Sequence, residues 1–249
     1  MGRRSDCCPS PVKGHGSIVV ASGGPTCRSI LHSAYSEPPF SIRQCGERIL
    51  VAASAAAPVG GDALSLDIAV LTGAHANIGT VASTIVLPGP TGAPSRMSTR
   101  CTVGVEAHLE WLGKPTVSVI GSDHIITTTV ALDESATCRV VEEVSLGRSD
   151  ELSGRLRLVL RIERGGRPLV HHDETFGPNV AGSGSVVSVG DARHVVSEVL
   201  VGVDAGQSRV TMFEGCHVGW LRVADDVVMV LGVGPNRPAV RAAVANIQP

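Results

Sequence analysis

The densest group of ligand-capable side chains in this sequence is His171-His172-Asp173-Glu174. Imidazoles and carboxylates are the material of a zinc-type hydrolytic site, in which three protein ligands hold the ion and a fourth position is left for water. On a strand, alternate residues point to opposite faces, so His171 and Asp173 would face one way and His172 and Glu174 the other. Each face then offers at most two ligands. The segment therefore reads as a surface edge, with a metallohydrolase using His171, His172 and Asp173 as the weaker reading. Cys216-His217 and the isolated His75, His108, His124 and His194 lack HExxH or finger spacing, and each reads as an ordinary core or surface histidine.

Two carboxylate positions carry more. Glu142 and Glu143 are adjacent, so on a strand one points inward and the other outward. A buried, unpaired carboxylate is costly. The inward one must be met by an arginine, by hydrogen bonds, or by a hydrated cavity in which it could hold a cation transiently. On sequence alone the arginine pair is the simpler reading. The second position is Asp62, in Pro58-Val59-Gly60-Gly61-Asp62. Spacing alone makes this a turn, with glycines relieving the φ restriction and the Asp bonding nearby backbone. It lacks GxGxxG and Walker spacing, so phosphate binding is unsupported. No GxSxG occurs. Gly182-Ser183-Gly184-Ser185 lacks the strand-to-helix setting of a nucleophile elbow.

The elements that must position these residues are mostly strands. Leu64, Leu66, Ile68 and Val70 alternate with Ser65, Asp67 and Ala69, as a half-buried strand requires. Leu156, Leu158, Leu160 and Ile162 repeat the pattern, with Arg157 and Arg161 outward, and Gly165-Gly166 turns the chain into Pro168-Leu169-Val170 as a hairpin. Ile126, Thr128, Val130 and Leu132 give a third case, and β-branched residues dominate Val117 to Val119, Val186 to Val189 and Val227 to Val230. The one helix expected lies at the end, with Pro238 in its first turn and Val240, Val244 and Ile247 on one side. Pro88 to Pro94 and Gly182 to Ser185 read as loops. No repeat of fixed period is found. The expectation is a mainly β fold of stacked antiparallel sheets, sandwich- or solenoid-like, with a small C-terminal helical element. Residues 1–16 are expected to form a mobile N-terminal arm and residues 17–249 a single β domain.

Composition narrows the function. The formal net charge is −2 and aromatic residues make up 2% of 249, which leaves neither a basic footprint nor stacking platforms for nucleic acid. Seven cysteines without CxxC spacing suit reduced thiols in a cytoplasm. No signal peptide is expected, and the most hydrophobic windows fall short of a membrane span.

Several segments, in order, resemble the UreD family of urease accessory proteins, called UreH in some species. Pro58 to Asp62, the strand from Leu64 to Val70 and Gly73-Ala74-His75-Ala76 are similar to the family's glycine-glycine-aspartate signature and the Gly-Ala-His turn after it. Leu109-Glu110-Trp111-Leu112 with Pro115 resembles its Leu-Glu-Trp-Leu-Pro segment. Glu142 to Arg148 resembles the segment closing on Leu-Gly-Arg, and Gly154 to Leu169 the family's long hairpin. The resemblance is good over about Leu50 to Pro178. Two departures stand out: Thr80 to Arg96 contains neither Lys nor an aromatic residue, where the family shows a Pro-Gly-Ala-Thr-Lys-Phe-Tyr-Arg-Ser stretch, and the Pro-Pro-Gly-Gly run before the signature is reduced to Ala56-Ala57-Pro58. This is the look of a shortened, divergent branch.

The resemblance implies a non-enzymatic urease maturation factor. It would bind a UreF-type partner and, through it, a UreG-type GTPase, and together they would dock on apo-urease. It implies nickel carried transiently through an internal water-filled passage, with Asp62 and Glu142 matching acidic positions and His75 as a further nickel contact. Weak, sequential oxygen or imidazole contacts suit handing a metal on, whereas a closed Cys/His cage would retain it. A β-sandwich ligand-binding module is the alternative from a different class.

Overall fold

The computed structural model describes residues 10–24, 29–182, 185 and 189–248. In chain order the strands are β1 (Lys13–Ser22), β2 (Ser29–Ser36), β3 (Phe40–Cys45), β4 (Arg48–Ala53), β5 (Ala63–Val70) and β6 (His75–Thr80). Next come β7 (Thr84–Val86), β8 (Ser95–Val103), β9 (His108–Leu112), β10 (Thr116–Ser118), β11 (Asp123–Leu132) and β12 (Thr137–Leu146). The last six are β13 (Arg155–Arg164), β14 (Arg167–Phe176), β15 (His194–Val201), β16 (Arg209–Phe213), β17 (Cys216–Ala224) and β18 (Val227–Gly234), followed by the helix α1 (Arg237–Ile247). Each alternating run singled out in the sequence lies within one strand, and Gly165 and Gly166, both at positive φ, form the turn between β13 and β14.

The strands form two stacked sheets. A seven-stranded sheet runs β14-β13-β11-β8-β5-β1-β2; an eleven-stranded sheet runs β16-β17-β18-β15-β12-β9-β6-β4-β3, with β10 and β7 attached beside β12. From β5 onward the chain lays one strand in the first sheet, crosses to the second, and returns, so β5, β8, β11 and β13 pair in parallel, as do β4, β6, β9 and β12. The stacked, solenoid-like, mainly β architecture with its C-terminal helix is as expected, and the larger sheet is antiparallel from β16 to β12, but its β12-β9-β6-β4 run and the middle of the smaller sheet are parallel where antiparallel pairing was expected. Period-two alternation fixes which face a residue takes, not the direction of its neighbour; here the crossover that parallel strands require is a strand of the opposite sheet. Successive coils set Asn77 beside Glu110, 33 residues on, and His108 beside Thr137, 29 residues on. That inequality accounts for the lack of a fixed repeat.

Residues 13–16, assigned to the terminal arm by composition, form the start of β1, paired in parallel with β5 and, at Gly16, antiparallel with β2. Residues 1–9 and most of the Val186–Val189 run lie outside the described residues.

The space between the sheets is filled by the inward sets of the alternating strands: Leu66 and Ile68 of β5, Leu109 of β9, Val130 of β11, Val140 of β12 and Leu160 of β13 are all fully or nearly fully buried. Burying each such side chain contributes roughly 1.5–3 kcal/mol. A second core forms where α1 covers the outer face of β15, β17 and β18. Asn236 caps this helix by accepting from Ala239 N at 3.0 Å, Pro238 sits in its first turn, and Val240, Ala243, Val244 and Ile247 form its buried side. Among the described residues no helix is long and apolar enough to cross a membrane.

Candidate functional site

β12 crosses the middle of the larger sheet. Its even-numbered residues, Val140, Glu142 and Val144, alternate with Val141, Glu143 and Ser145, and both glutamates are buried. The sequence led us to expect one of them to face outward into solvent. The outward one, Glu143, is instead covered by α1, whose Arg237 donates to it from Nε at 2.6 Å and whose Arg241 lies 3.5 Å away. His194 Nε2 is 3.3 Å from the same carboxylate. Burial alone would raise the Glu143 carboxyl, but His194 and the two arginines bring it down to about 2. The arginine pair that sequence chemistry foresaw thus belongs to Glu143, not Glu142.

Glu142 faces the other sheet. Its Oε1 accepts a short hydrogen bond from the Thr128 hydroxyl of β11, which spans the gap between the sheets, while its Oε2 is buried with no partner among the described residues. Burial pushes this carboxyl up to about 7, against the Thr128 hydrogen bond and the nearby His172, both of which favour the charged form. Thr128 stands beside Thr99 of β8 on one side; on the other, the same rung continues through Leu160 to His172 of β14. Ser197 of β15 lies directly opposite Glu142 within the larger sheet. Ser197 Oγ and His172 Nδ1 are, like Glu142 Oε2, buried and unpartnered. A polar rung therefore crosses the inter-sheet layer with three polar atoms that have no partner among the described residues, and such atoms are costly unless water or an ion reaches them.

The layer is not solid there. A cavity of about 320 Å³ is bounded by Glu142, Thr128, Thr99 and His124 at its floor, by Leu66, Ile126 and Trp111 along its walls, and by the exposed Val81, Ile85 and Lys114 at its rim. His124 Nδ1 is 2.8 Å from Ser95 Oγ, and burial holds the ring down at about 4, so it is neutral near pH 7. Trp111 reaches the cavity because Leu109 and Trp111 are the inward residues of β9 while Glu110 faces out. The chamber can admit water and lead it to one buried carboxylate.

Asp62 lies elsewhere. Its two oxygens accept from the backbone N–H groups of Val12, at 2.7 Å, and Val59, at 2.8 Å. The glycines before it are there for space and for φ: a Cβ on Gly60 would lie 2.5 Å from Gly89 N, and Gly61 adopts φ +97°. The glycine-glycine-aspartate signature is a turn lock that fixes where β5 begins, with a backbone N–H on each Asp62 oxygen. His75 sits on the outer face of the larger sheet, its ring centroid 6.0 Å from that of His108. Asp62 and His75 are not part of the chamber wall, so the three expected nickel contacts are not brought together. The His171 to Glu174 segment divides as alternation requires: Asp173 is held outward by Arg157 and His171 lies against Arg161, whereas His172 and Glu174 face inward, 3.3 Å apart. Among the described residues no group of three or more His, Cys, Asp or Glu side chains converges as a metal cage, and Cys45, Cys101, Cys138 and Cys216 are free thiols.

Sequence reasoning missed Thr99, Ser197 and His124 as parts of the site. Their signal was polarity at inward positions; Thr128 already stood in the inward register of its run.

The sequence pattern of the UreD urease accessory protein family matches residues 13–248. A urease accessory protein UreD of Parafrankia sp. is 32% identical over 252 residues, covering 92% of this chain and 85% of the relative. The urease accessory protein UreD 2 of Saccharopolyspora erythraea is 36% identical, over 66% of this chain and 60% of its own length. The UreD of Frankia casuarinae is 34% identical, over 73% and 62%. In the latter two the similarity spans less than two thirds of the relative.

Proposed function

The chain belongs to the UreD urease accessory protein family, and on that premise we propose that it is a cytoplasmic, non-catalytic scaffold that passes nickel toward apo-urease within a complex with UreF-type and UreG-type accessory proteins. Nickel is here cargo, handed on and not retained. The inter-sheet chamber is the stretch of the passage that this chain supplies, and Glu142 is its contact for the ion. The observation that carries this reading is Glu142 Oε2, a carboxylate oxygen buried in the chamber floor with no partner among the described residues.

The chemistry is suited to transfer. One carboxylate with a hydroxyl beside it and the neutral imidazole of His124 beyond gives a hydrated divalent ion few contacts, so the ion can leave as readily as it arrives. A carboxyl poised near pH 7 can also exchange a proton for the ion without a large change in charge. Asp62 has a different part: it locks the turn that places β5, one wall of the chamber.

The test is reconstitution of urease activity from apo-urease, nickel, bicarbonate, GTP and the other accessory proteins. Activation should depend on this chain, and Glu142→Gln should lower it several-fold while the variant still enters the accessory complex. Equal activation with and without the chain rejects the role in maturation; full activation by Glu142→Gln rejects the chamber as the route.

A further inference from the structure

We infer that His75 and His108 form a separate, exchangeable site for a divalent transition-metal ion on the outer face of the larger sheet. The register creates it. β6 and β9 are parallel neighbours with His75 directly opposite His108, and β9 and β12 place Thr137 opposite His108 on its other side. One rung further along, the same three strands carry Asn77, Glu110 and Arg139.

The two rungs differ in one respect that matters for a ligand. The Asn77 rung is closed: Asn77 donates to Glu110 at 2.5 Å, Arg48 donates to Asn77 at 3.3 Å, and Arg139 lies 3.8 Å from Glu110 and donates to Glu198 at 2.8 Å. The histidine rung is open. The His75 ring is exposed and, among the described residues, has no hydrogen-bond or ion-pair partner; the His108 ring lies 6.0 Å away between centroids, tilted by 41°. The His75 backbone is fixed by its N–H donating to Ser29 Oγ at 2.6 Å.

His108 is oriented as a metal-binding imidazole needs to be. Its Nδ1 lies 2.7 Å from Thr137 Oγ1. In the tautomer that donates Nδ1–H to that hydroxyl, the lone pair is left on Nε2. A hydrogen bond at one ring nitrogen is the usual way in which a ligating imidazole is held in orientation and tautomer. Two imidazoles on adjacent strands at this separation can be bridged by one ion with roughly 2.0–2.1 Å bonds after modest side-chain rotation. The donor set selects nickel, zinc or copper over magnesium or calcium, because imidazole suits borderline ions and the hard cations prefer oxygen. With two protein ligands and water completing the shell, the ion exchanges freely. Glu142 projects from the opposite face of the same sheet, so this site does not rest on the chamber reading.

The experiment is nickel binding to the full chain by equilibrium dialysis near pH 7.5, with zinc and magnesium in parallel, on the wild type and on His75→Ala, His108→Ala, His75→Gln and Glu142→Gln. Copper loaded at one equivalent is read by electron paramagnetic resonance for coordinated imidazole nitrogen. We expect each histidine variant to lose one nickel equivalent, or to bind it at least ten-fold more weakly, with unchanged thermal melting. We expect Glu142→Gln to keep that equivalent, the wild type to ignore magnesium, and copper to show two imidazole nitrogens that fall to one in His75→Ala. A wild type that binds no nickel, unchanged nickel and copper readouts in His75→Ala, or loss of this equivalent in Glu142→Gln alone would overturn the site. The last result would leave the chamber reading standing.

Discussion

Glu142 and Glu143 are consecutive residues of one strand, both buried, yet one carboxyl stands near 7 and the other near 2. The difference lies wholly in what covers each face of β12. On the outer face, α1 brings Arg237 and Arg241 over Glu143, with His194 beside it, so the buried charge is compensated and the helix is fastened to the sheet. On the inner face, Glu142 meets a threonine hydroxyl and a cavity, and among the described residues no arginine or lysine pairs with it. A carboxylate whose partners are all supplied by the chain is structural. One whose second oxygen is left unpaired beside a chamber is open to water or an ion.

The comparison is broken most visibly at Glu143. Glu143→Ala leaves Arg237, Arg241 and His194 facing an empty site and should cost about 3 kcal/mol, the low end for breaking a buried ion pair, because both arginines keep part of their side chains in water. In a chain of this size that is a fall of roughly 6–12 °C in Tm, measured by calorimetry, with α1 the first element to lose hydrogen-exchange protection. A melting point unchanged within a degree would mean that the helix is held by its apolar side alone. The wild-type contribution should also fade in acid: the depressed carboxyl stabilises the fold above its ordinary value of 4.5, and this is lost as pH falls toward 2.

Glu142 should behave with the opposite sign and a somewhat smaller amplitude. Its folded-state pKa, about 7, lies above the ordinary 4.5, so the folded chain holds the proton more tightly than the unfolded one. That contribution is whole below pH 4.5 and is lost as pH rises to 7. Glu142→Gln removes the titration; the variant should be more stable than the wild type by about 2–3 kcal/mol at pH 8 and no more stable at pH 4, as urea unfolding at the two pH values would show. A stability difference independent of pH would place the Glu142 titration outside this window.

Much of this was legible in the sequence, and the part that was not has a physical cause. Alternation placed Thr128 at an inward position, required that one of Glu142 and Glu143 face inward without saying which, and separated His171 from His172. The hairpin at Gly165-Gly166 and the buried side of α1 followed from turn chemistry and helical period. Pairing between distant strands was not readable, because a period of two carries no information about which strand lies alongside. Hence the parallel runs within the two sheets, the His75–His108 rung and the Thr99–Thr128 rung came only with the fold. Burial of Glu143 was missed for a related reason: the helix that covers it begins 94 residues later, and nothing local to β12 announces a lid. Asp62 shows the converse. The family resemblance pointed to a nickel contact, while the plain chemistry of a Gly-Gly-Asp turn already described what its two oxygens do.

The smallest effect isolates the one bond between the sheets at this point. Thr128 Oγ1 donates to Glu142 Oε1 and thereby favours the charged carboxylate against burial. Thr128→Val keeps the volume and removes the donor, so the Glu142 carboxyl should climb further above 7 and the fold should lose about 1 kcal/mol at pH 8, the ordinary value of a hydrogen bond. At pH 4, where the carboxyl is protonated and can turn to donate or accept elsewhere in the cavity, the loss should be smaller. In the Glu142→Gln background the same substitution should show no such pH dependence, because no titrating partner remains. An equal, pH-independent loss in both backgrounds would mean that Thr128 serves packing, and that the state of Glu142 is set by the water in the chamber and not by the opposite sheet.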